Sequence, residues 1–524
     1  MLIDMQTVKN TARSKKQYIF LGCILLIALI FYTINATRSG LWYDEAIEYF
    51  YSKYMTGPVP GGRTTGNMLE RILRTFQPPL YNILMYFWLA VFDSEFGFRF
   101  AGILVTLAGA VGCFFAINEI HPEGVWGAIG TAFYLFTTKV VYYGLECAEY
   151  NLVLCFIAWT IYFFLRVLKR SDNRSLLGFF IFACLSAYSQ YGAAFIILGM
   201  FISIFLFFIW AKNYSALGHY IKMTIVTLFV AVIPLFAFFL IPQILKQGAT
   251  SVSHAPFFQQ GPVIDFFNGI GKTVNWLFGD ISIAVEIILL LMLCFALFVR
   301  PRIMLFSFLS VLTAWILYFA AVSCSFYGYN SWNRDSLGTM NLGGRYSLIF
   351  IPEVVVIFIL SSGIVADWVK ERNRGLGICL LICILLYLPF YSSRGINQVN
   401  AKRWIKDDIR EASSAWYECE AYRSKTLVHQ WDDALFNFYL IHDKRYDKSY
   451  TDSIEDAGVW IRSADHDAIK QKLSAIGYLT LQEYYFVTPK NKSYETFLEV
   501  VAEEGYSVEE VYTGKSILLH LQKD

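Results

Sequence analysis

Apolar residues in this chain come in long runs rather than in strand-like alternation. Eleven runs, near 18–36, 98–117, 125–141, 150–168, 175–190, 193–210, 223–241, 281–299, 303–322, 346–366 and 375–392, predict helices. Each approaches the length that crosses a hydrocarbon core of roughly 30 Å. A twelfth run, Pro79–Phe92, is too short to span and is opened by Pro78-Pro79. It reads as a re-entrant or interfacial helix, since Pro fixes an extended approach into a helix start. With that choice the basic clusters fall on one side: Arg13, Lys15 and Lys16; Lys169, Arg170 and Arg174; Lys212 and Lys222; Arg300 and Arg302; Lys370, Arg372 and Arg374. The positive-inside rule then places the N-terminus in the cytoplasm. Tyr18–Ala36 lacks a small-residue cleavage site and is followed by further spans, so it reads as a retained helix.

Two polar regions interrupt this pattern. Residues 37–97 form an outer loop in which Asp44–Met55 and Gly66–Phe76 read as short surface helices. From residue 395 the chain is charged, and helical and strand-like runs alternate. Lys402–Ser414, Asp433–Ile441 and Ala468–Ile476 read as helices; Thr426–His429, Tyr484–Val487 and Ser516–Leu521 read as strands. The expected architecture is an all-α polytopic membrane protein of about 11 transmembrane helices, residues 1–394, with an extracytoplasmic α/β soluble domain, residues 395–524.

Composition agrees. The 524 residues are 56% hydrophobic, 18% aromatic and 16% charged, against about 25% charged in a soluble domain. A net charge of +2 implies no nucleic-acid partner. Most of the ten cysteines lie inside apolar runs and no CxxC pair occurs, so neither a zinc nor a redox signature is present.

Candidate chemistry collects at the outer ends of the spans. Leu41-Trp42-Tyr43-Asp44-Glu45-Ala46 follows the first span directly. A carboxylate there suits a general base; equally, Asp44 reads as a helix cap and Glu45 as a charge favouring the helix start. Gln77-Pro78-Pro79-Leu80-Tyr81 reads as a fixed turn or a simple chain break. Glu146 and Glu149, with Tyr150, bring further carboxylates to the same side, or else form a solvated turn. Arg334 and Arg345 precede a late span, and an arginine fork suits phosphate. Gly343-Gly344 beside Arg345-Tyr346 lets backbone approach a ligand closely. Arg345 also reads as a snorkelling anchor and Arg334 as solvated. Lys139 and Lys272 are weaker candidates for phosphate, and His254 has no matching ligand partners in sequence.

Taken in order, Leu-Trp-Tyr-Asp-Glu-Ala, Gln-Pro-Pro-Leu-Tyr, Phe92-Asp93-Ser94-Glu95-Phe96-Gly97-Phe98-Arg99-Phe100, Glu146…Tyr150 and Arg345-Tyr346 ahead of Pro352 resemble the bacterial glycosyltransferase family 39-like branch of the GT-C superfamily. Protein O-mannosyltransferases and the aminoarabinose transferase belong to the same broad group. The resemblance covers residues 18–366; the C-terminal domain resembles the family by position and class only. It implies a GT-C architecture in the cell membrane. It further implies an enzyme that moves a sugar from a polyprenyl-phosphate carrier to an acceptor hydroxyl on the outer face, by inverting displacement. The acceptor class, whether glycolipid, glycan or protein, stays open. By this match Asp44 is the base and Glu45 assists it or binds acceptor. Arg345, with Arg334 and Tyr346, holds the leaving phosphate. Glu146, Tyr150, Gln77, Pro79, Tyr81 and Tyr191 bind substrate. A divalent metal ion bridging carboxylate and phosphate is an open alternative. Two positions depart from the family pattern: Ala148 stands where many relatives carry arginine, and Gln190 where many carry histidine. Both changes point to a different sugar or acceptor, or to a weakened enzyme.

Three rival classes predict other features. A polyprenyl-linked glycan transporter or flippase would place charges or broken helices at mid-membrane, whereas the ionisable clusters here sit at span ends. A glycan polymerase or ligase would move the key residues to a large late loop. A non-catalytic scaffold would use the C-terminal domain to bind a partner and would not depend on Asp44.

Overall fold

The computed structural model describes residues 15–57, 77–122, 125–247, 283–323, 342–400, 408–428, 433–456, 483–489 and 492–523, with a few single positions besides. The expected helix Gly66–Phe76 and, apart from Lys470, the expected helix Ala468–Ile476 lie outside the described residues. The chain divides into two compact units. One comprises Met1–Ile34, Ile72–Tyr81 and Phe100–Ala401; the other comprises Asn35–Arg71, Asn82–Arg99 and Lys402–Asp524.

The first unit is helical. Among the described residues, seven helices are long and apolar enough to cross a membrane, beginning at Gln17, Glu95, Tyr150, Ala193, Tyr214, Pro301 and Arg345. The expected run 125–141 is two helices, Trp126–Leu135 and Thr138–Gly144. They part at Phe136-Thr137, where Thr137 Oγ1 donates to the Phe133 carbonyl at 2.7 Å. The run 175–190 is the 17-residue helix Asn173–Ser189. The runs 281–299 and 375–392 fall on Ile283–Val299 and Arg374–Asn400, with shorter apolar stretches at Leu290–Val299 and Arg374–Ile384. The run 223–241 starts earlier than expected. Asn213 caps a helix at Tyr214, accepting from Ala216 N at 3.1 Å. That helix continues through π-helical turns at Leu228–Val232 and Phe236–Leu240 to Gln247. Around Pro79–Phe92 the structure has a ten-residue helix, Leu80–Leu89, shorter than a membrane crossing.

Close helix approach explains why several glycines sit where they do. A Cβ on Gly112 would lie 3.1 Å from the Ala158 Cβ and from the Trp159 backbone; one on Gly102 would lie 2.8 Å from Asn151 Nδ2. Small residues thus seat Glu95–Ile120 against Tyr150–Arg170, the means by which helices pack without a hydrophobic driving force. Gly199 does the same for Ala193–Trp210 and Pro301–Ser323: a Cβ there would run into the Ser310 carbonyl.

The second unit is built on a five-stranded sheet: β1 Lys425–Val428, β2 Ile454–Asp456, β3 Glu483–Pro489, β4 Tyr506–Thr513 and β5 Ser516–Lys523. Strand order is β2-β1-β3-β5-β4. β1 runs parallel to β2 and β3, with Thr426 opposite Ile454 and Tyr485. β5 runs antiparallel to β3 and β4. Helices Ile409–Glu418, Asp433–His442 and Lys492–Glu503 accompany the sheet. Trp416, fully buried, donates from Nε1 to Thr426 Oγ1 at 2.7 Å and so ties the first of these helices to β1. β2, β4 and Lys492–Glu503 were not among the expected elements. The same compact unit contains Tyr43–Lys53, the helix that carries Asp44 and Glu45.

Candidate active site

The helix carrying the two carboxylates starts at Tyr43. Trp42 is extended and forms the cap position, and Glu45, third in the helix, accepts the Trp42 N–H at 3.1 Å. That is the return half of a capping box. Asp44 is therefore the second helical residue rather than the cap, and both carboxylates complement the positive helix end.

The two neighbours then diverge. Successive helical side chains point about 100° apart, so one can face the interior while the next does not. Glu45 turns inward and is 3% exposed; its partner Arg99 is 4% exposed. The pair is bidentate, with Arg99 Nε 3.1 Å from Glu45 Oε1 and Nη2 2.8 Å from Oε2. Arg99 also donates to the carbonyls of Ala36 and Ser39, both at 2.6 Å, and of Gly40 at 2.9 Å. Glu48, one turn on, is buried as well and accepts from Asn82 Nδ2 at 2.8 Å; Asn82 reaches Ser52 Oγ at 3.1 Å. Glu45, Glu48 and Ser52 thus form one polar, buried helix face. Asp44 lies off that face and is only partly buried.

The first unit gathers most of the other candidates into two groups. Tyr150 packs edge-on against Tyr143 at 4.9 Å and sits within electrostatic range of Arg345, Glu149 and Tyr346. The Arg345 guanidinium lies 5.4 Å from the Tyr346 ring centre. In the second group Tyr191 donates to Gln243 Oε1 at 2.8 Å, and Gln243 Nε2 donates to the Gln77 carbonyl at 2.8 Å. Pro79 and Tyr81 are buried beyond Gln77. Glu146 is buried, and its carbonyl accepts from Asn151 Nδ2 at 3.0 Å. Arg334, Lys272 and His254 lie outside the described residues.

A divalent metal needs several hard oxygen donors together. Among the described residues no three His, Cys, Asp or Glu side chains are placed to hold one. Sequence reasoning passed over Glu48, Asn82 and Gln243. Glu48 was findable, since Glu45 and Glu48 share a helix face at spacing three.

Residues 76–239 match the family model of dolichyl-phosphate-mannose-protein mannosyltransferase. Apo ArnT from Cupriavidus metallidurans superposes with a TM-score of 0.51 at 14% identity, covering 95% of this chain and 97% of that one. The chain has a GT-C-type fold. ArnT bound to undecaprenyl phosphate gives 0.50 at 12% identity with the same coverage. The archaeal oligosaccharyltransferase AglB from Archaeoglobus fulgidus, in complex with an inhibitory peptide and a dolichol-phosphate, gives 0.50 at 10% identity, covering 90% of this chain and 70% of that one. No curated protein matches by sequence. With its GT-C-type fold and the seven long apolar helices among the described residues, the protein is a multi-pass membrane protein.

Proposed function

We propose that this protein transfers a sugar from a polyprenyl-phosphate carrier to an acceptor hydroxyl on the outer face of the cell membrane, with Asp44 as general base. The observation that carries this reading is the split between the two carboxylates. Glu45 is held in a buried arginine fork, while Asp44, on the same helix, stands off that buried face and is only partly buried. A partly buried carboxylate carried on a short helix suits proton abstraction. The GT-C fold and the undecaprenyl phosphate bound by ArnT support the donor class.

In the proposed reaction the acceptor oxygen attacks the anomeric carbon while its proton passes to an Asp44 oxygen. The bond from the anomeric carbon to the phosphate oxygen breaks, and its electron pair leaves with the phosphate. The configuration inverts. Arg345, beside Tyr346 and Tyr150, would hold the departing phosphate; an arginine fork aimed at developing charge is an efficient stabiliser. Glu45 acts as a positioning residue. Gln77, Tyr81, Glu146 and Tyr191 shape the substrate site. The N-terminus is cytoplasmic, and residues 395–524 lie outside.

The test is transfer by purified protein in lipid discs, offered labelled polyprenyl-phosphate sugars and a membrane extract as acceptor. Wild type should transfer one of these sugars. Asp44→Asn should lose about 100-fold or more, and Arg345→Met should weaken donor use. Equal transfer by wild type and a folded Asp44→Asn would reject the base assignment. No transfer from any carrier would reject the function.

A further inference from the structure

The segment that leads into Asp44 has no regular structure of its own. Residues 36–42 are turn and coil between the Lys15–Asn35 helix and the helix starting at Tyr43. Backbone groups in such a segment need partners from elsewhere. Arg99 takes three of its carbonyls, as described above. The C-terminal part of the chain takes the next set. Arg410 Nη1 donates to the Thr37 carbonyl at 3.1 Å, and Nη2 to the Ser39 carbonyl at 3.0 Å. The Leu41 N–H donates to Tyr439 Oη at 2.6 Å. Arg410 also donates to Glu95 Oε1, the oxygen that lies 3.4 Å from Arg99 Nη1. One carboxylate therefore bridges two guanidiniums that share the Ser39 carbonyl.

The holder is itself well braced. Arg410 is on Ile409–Glu418 and Tyr439 on Asp433–His442. These helices are joined by Tyr417 Oη donating to the Leu440 carbonyl at 2.9 Å. The Arg410 guanidinium lies 5.7 Å from the Tyr439 ring centre. A further contact reaches the motif helix directly. Tyr49 packs edge-on against Phe438 at 4.8 Å and His442 at 5.3 Å, and donates to Asp93 Oδ1 at 2.7 Å.

We propose that Arg410 and Tyr439 are positioning residues for glycosyl transfer, and that the C-terminal domain serves the reaction by clamping residues 36–42 and so fixing where Asp44 stands. The mechanical half stands on the hydrogen bonds alone; the catalytic half rests on the reading of Asp44 as base. Two forked arginines and one phenol hold the backbone of the short segment that sets the base. A displacement of about 1 Å at a reacting group costs on the order of 100-fold in rate.

The experiment uses full-length protein in lipid discs and three variants: Arg410→Met, Arg410→Lys and Tyr439→Phe. Two readouts are taken well below the melting temperature: transfer kinetics, and amide hydrogen exchange across residues 36–47. The expected result is faster exchange in that segment, with kcat down about 10- to 100-fold and the donor KM close to wild type. Arg410→Lys should restore little, because an ammonium does not reproduce the fork. Tyr439→Phe keeps the ring and the fold, so it decides the matter if Arg410→Met folds poorly. Unchanged exchange in Tyr439→Phe overturns the clamp. Faster exchange with wild-type kcat overturns its catalytic role. If Asp44→Asn stays active, the base assignment falls, while the exchange result still judges the clamp.

Discussion

The Glu45–Arg99 pair makes the most exacting prediction. Replacing Arg99 with Met keeps the length of the side chain and removes its fork. Glu45 would then sit at 3% exposure with its main counter-charge gone. Breaking one side of a buried pair costs roughly 3–5 kcal/mol, because the remaining charge is left uncompensated. The carbonyls of Ala36, Ser39 and Gly40 would lose a donor as well, each worth about 1 kcal/mol. Folded proteins are stable by only about 5–15 kcal/mol, so the loss is large. At roughly 2–4 °C per kcal/mol for a unit of this size, unfolding should move down by roughly 10–30 °C. Arg99→Met/Glu45→Met should lose clearly less than the two single changes added together, since the double variant buries no lone charge. The assay is thermal unfolding of purified protein in lipid discs, followed by tryptophan fluorescence, with Trp42 and Trp88 in the affected unit. Unchanged melting of Arg99→Met, or strictly additive losses, would refute the claim that Glu45 is held structurally.

Three further outcomes can be checked separately. Asp93 is tied to Lys53 Nζ at 2.8 Å, to Tyr49 and to His442. Burial pushes its carboxyl up, but the hydrogen bonds from His442, Lys53 and Tyr49 outweigh it and hold the group well below the usual carboxylate range. A depressed carboxyl adds stability above its unfolded value of about 3.9 and loses it as pH falls. Asp93→Asn should therefore melt below wild type at pH 7, by no more than about 1 kcal/mol for so exposed a pair, and the gap should close as pH drops below about 4. Gly112→Leu should force Glu95–Ile120 away from Tyr150–Arg170, at an overpacking cost of about 1–3 kcal/mol or more; equal melting would mean that the helices do not meet at Gly112. Tyr191→Phe removes the bond to Gln243 and loosens its hold on the Gln77 carbonyl, so KM should rise several-fold with melting unchanged; an unaltered KM would separate this chain of bonds from substrate binding.

What the sequence could and could not reveal follows from the range of each interaction. Apolar runs are legible because the bilayer sets their length, and most expected spans fall on helices. Breaks are less legible: Phe136-Thr137 carries no glycine or proline, and only the Thr137 hydroxyl bonding back to Phe133 marks the place. The early start at Tyr214 had a signal, Asn213 as cap, masked by the charge of Lys222, which interrupts the apolar pattern there. β4 had one too, since Tyr506, Val508 and Val511 lie among polar residues after Gly505, which adopts a positive φ of 79°. The site is different in kind. Asp44 and Glu45 are adjacent and chemically alike, and no local rule separates a base from a brace. What separates them is Arg99, 54 residues away, with Arg410 and Tyr439 more than 370 residues away holding the segment before them. A helix turns neighbouring side chains about 100° apart, so the partner that captures one carboxylate leaves the other turned elsewhere. The structural role of Glu45 and the proposed catalytic role of Asp44 are then two consequences of one packing event, and a variant that frees Glu45 should disturb Asp44 as well.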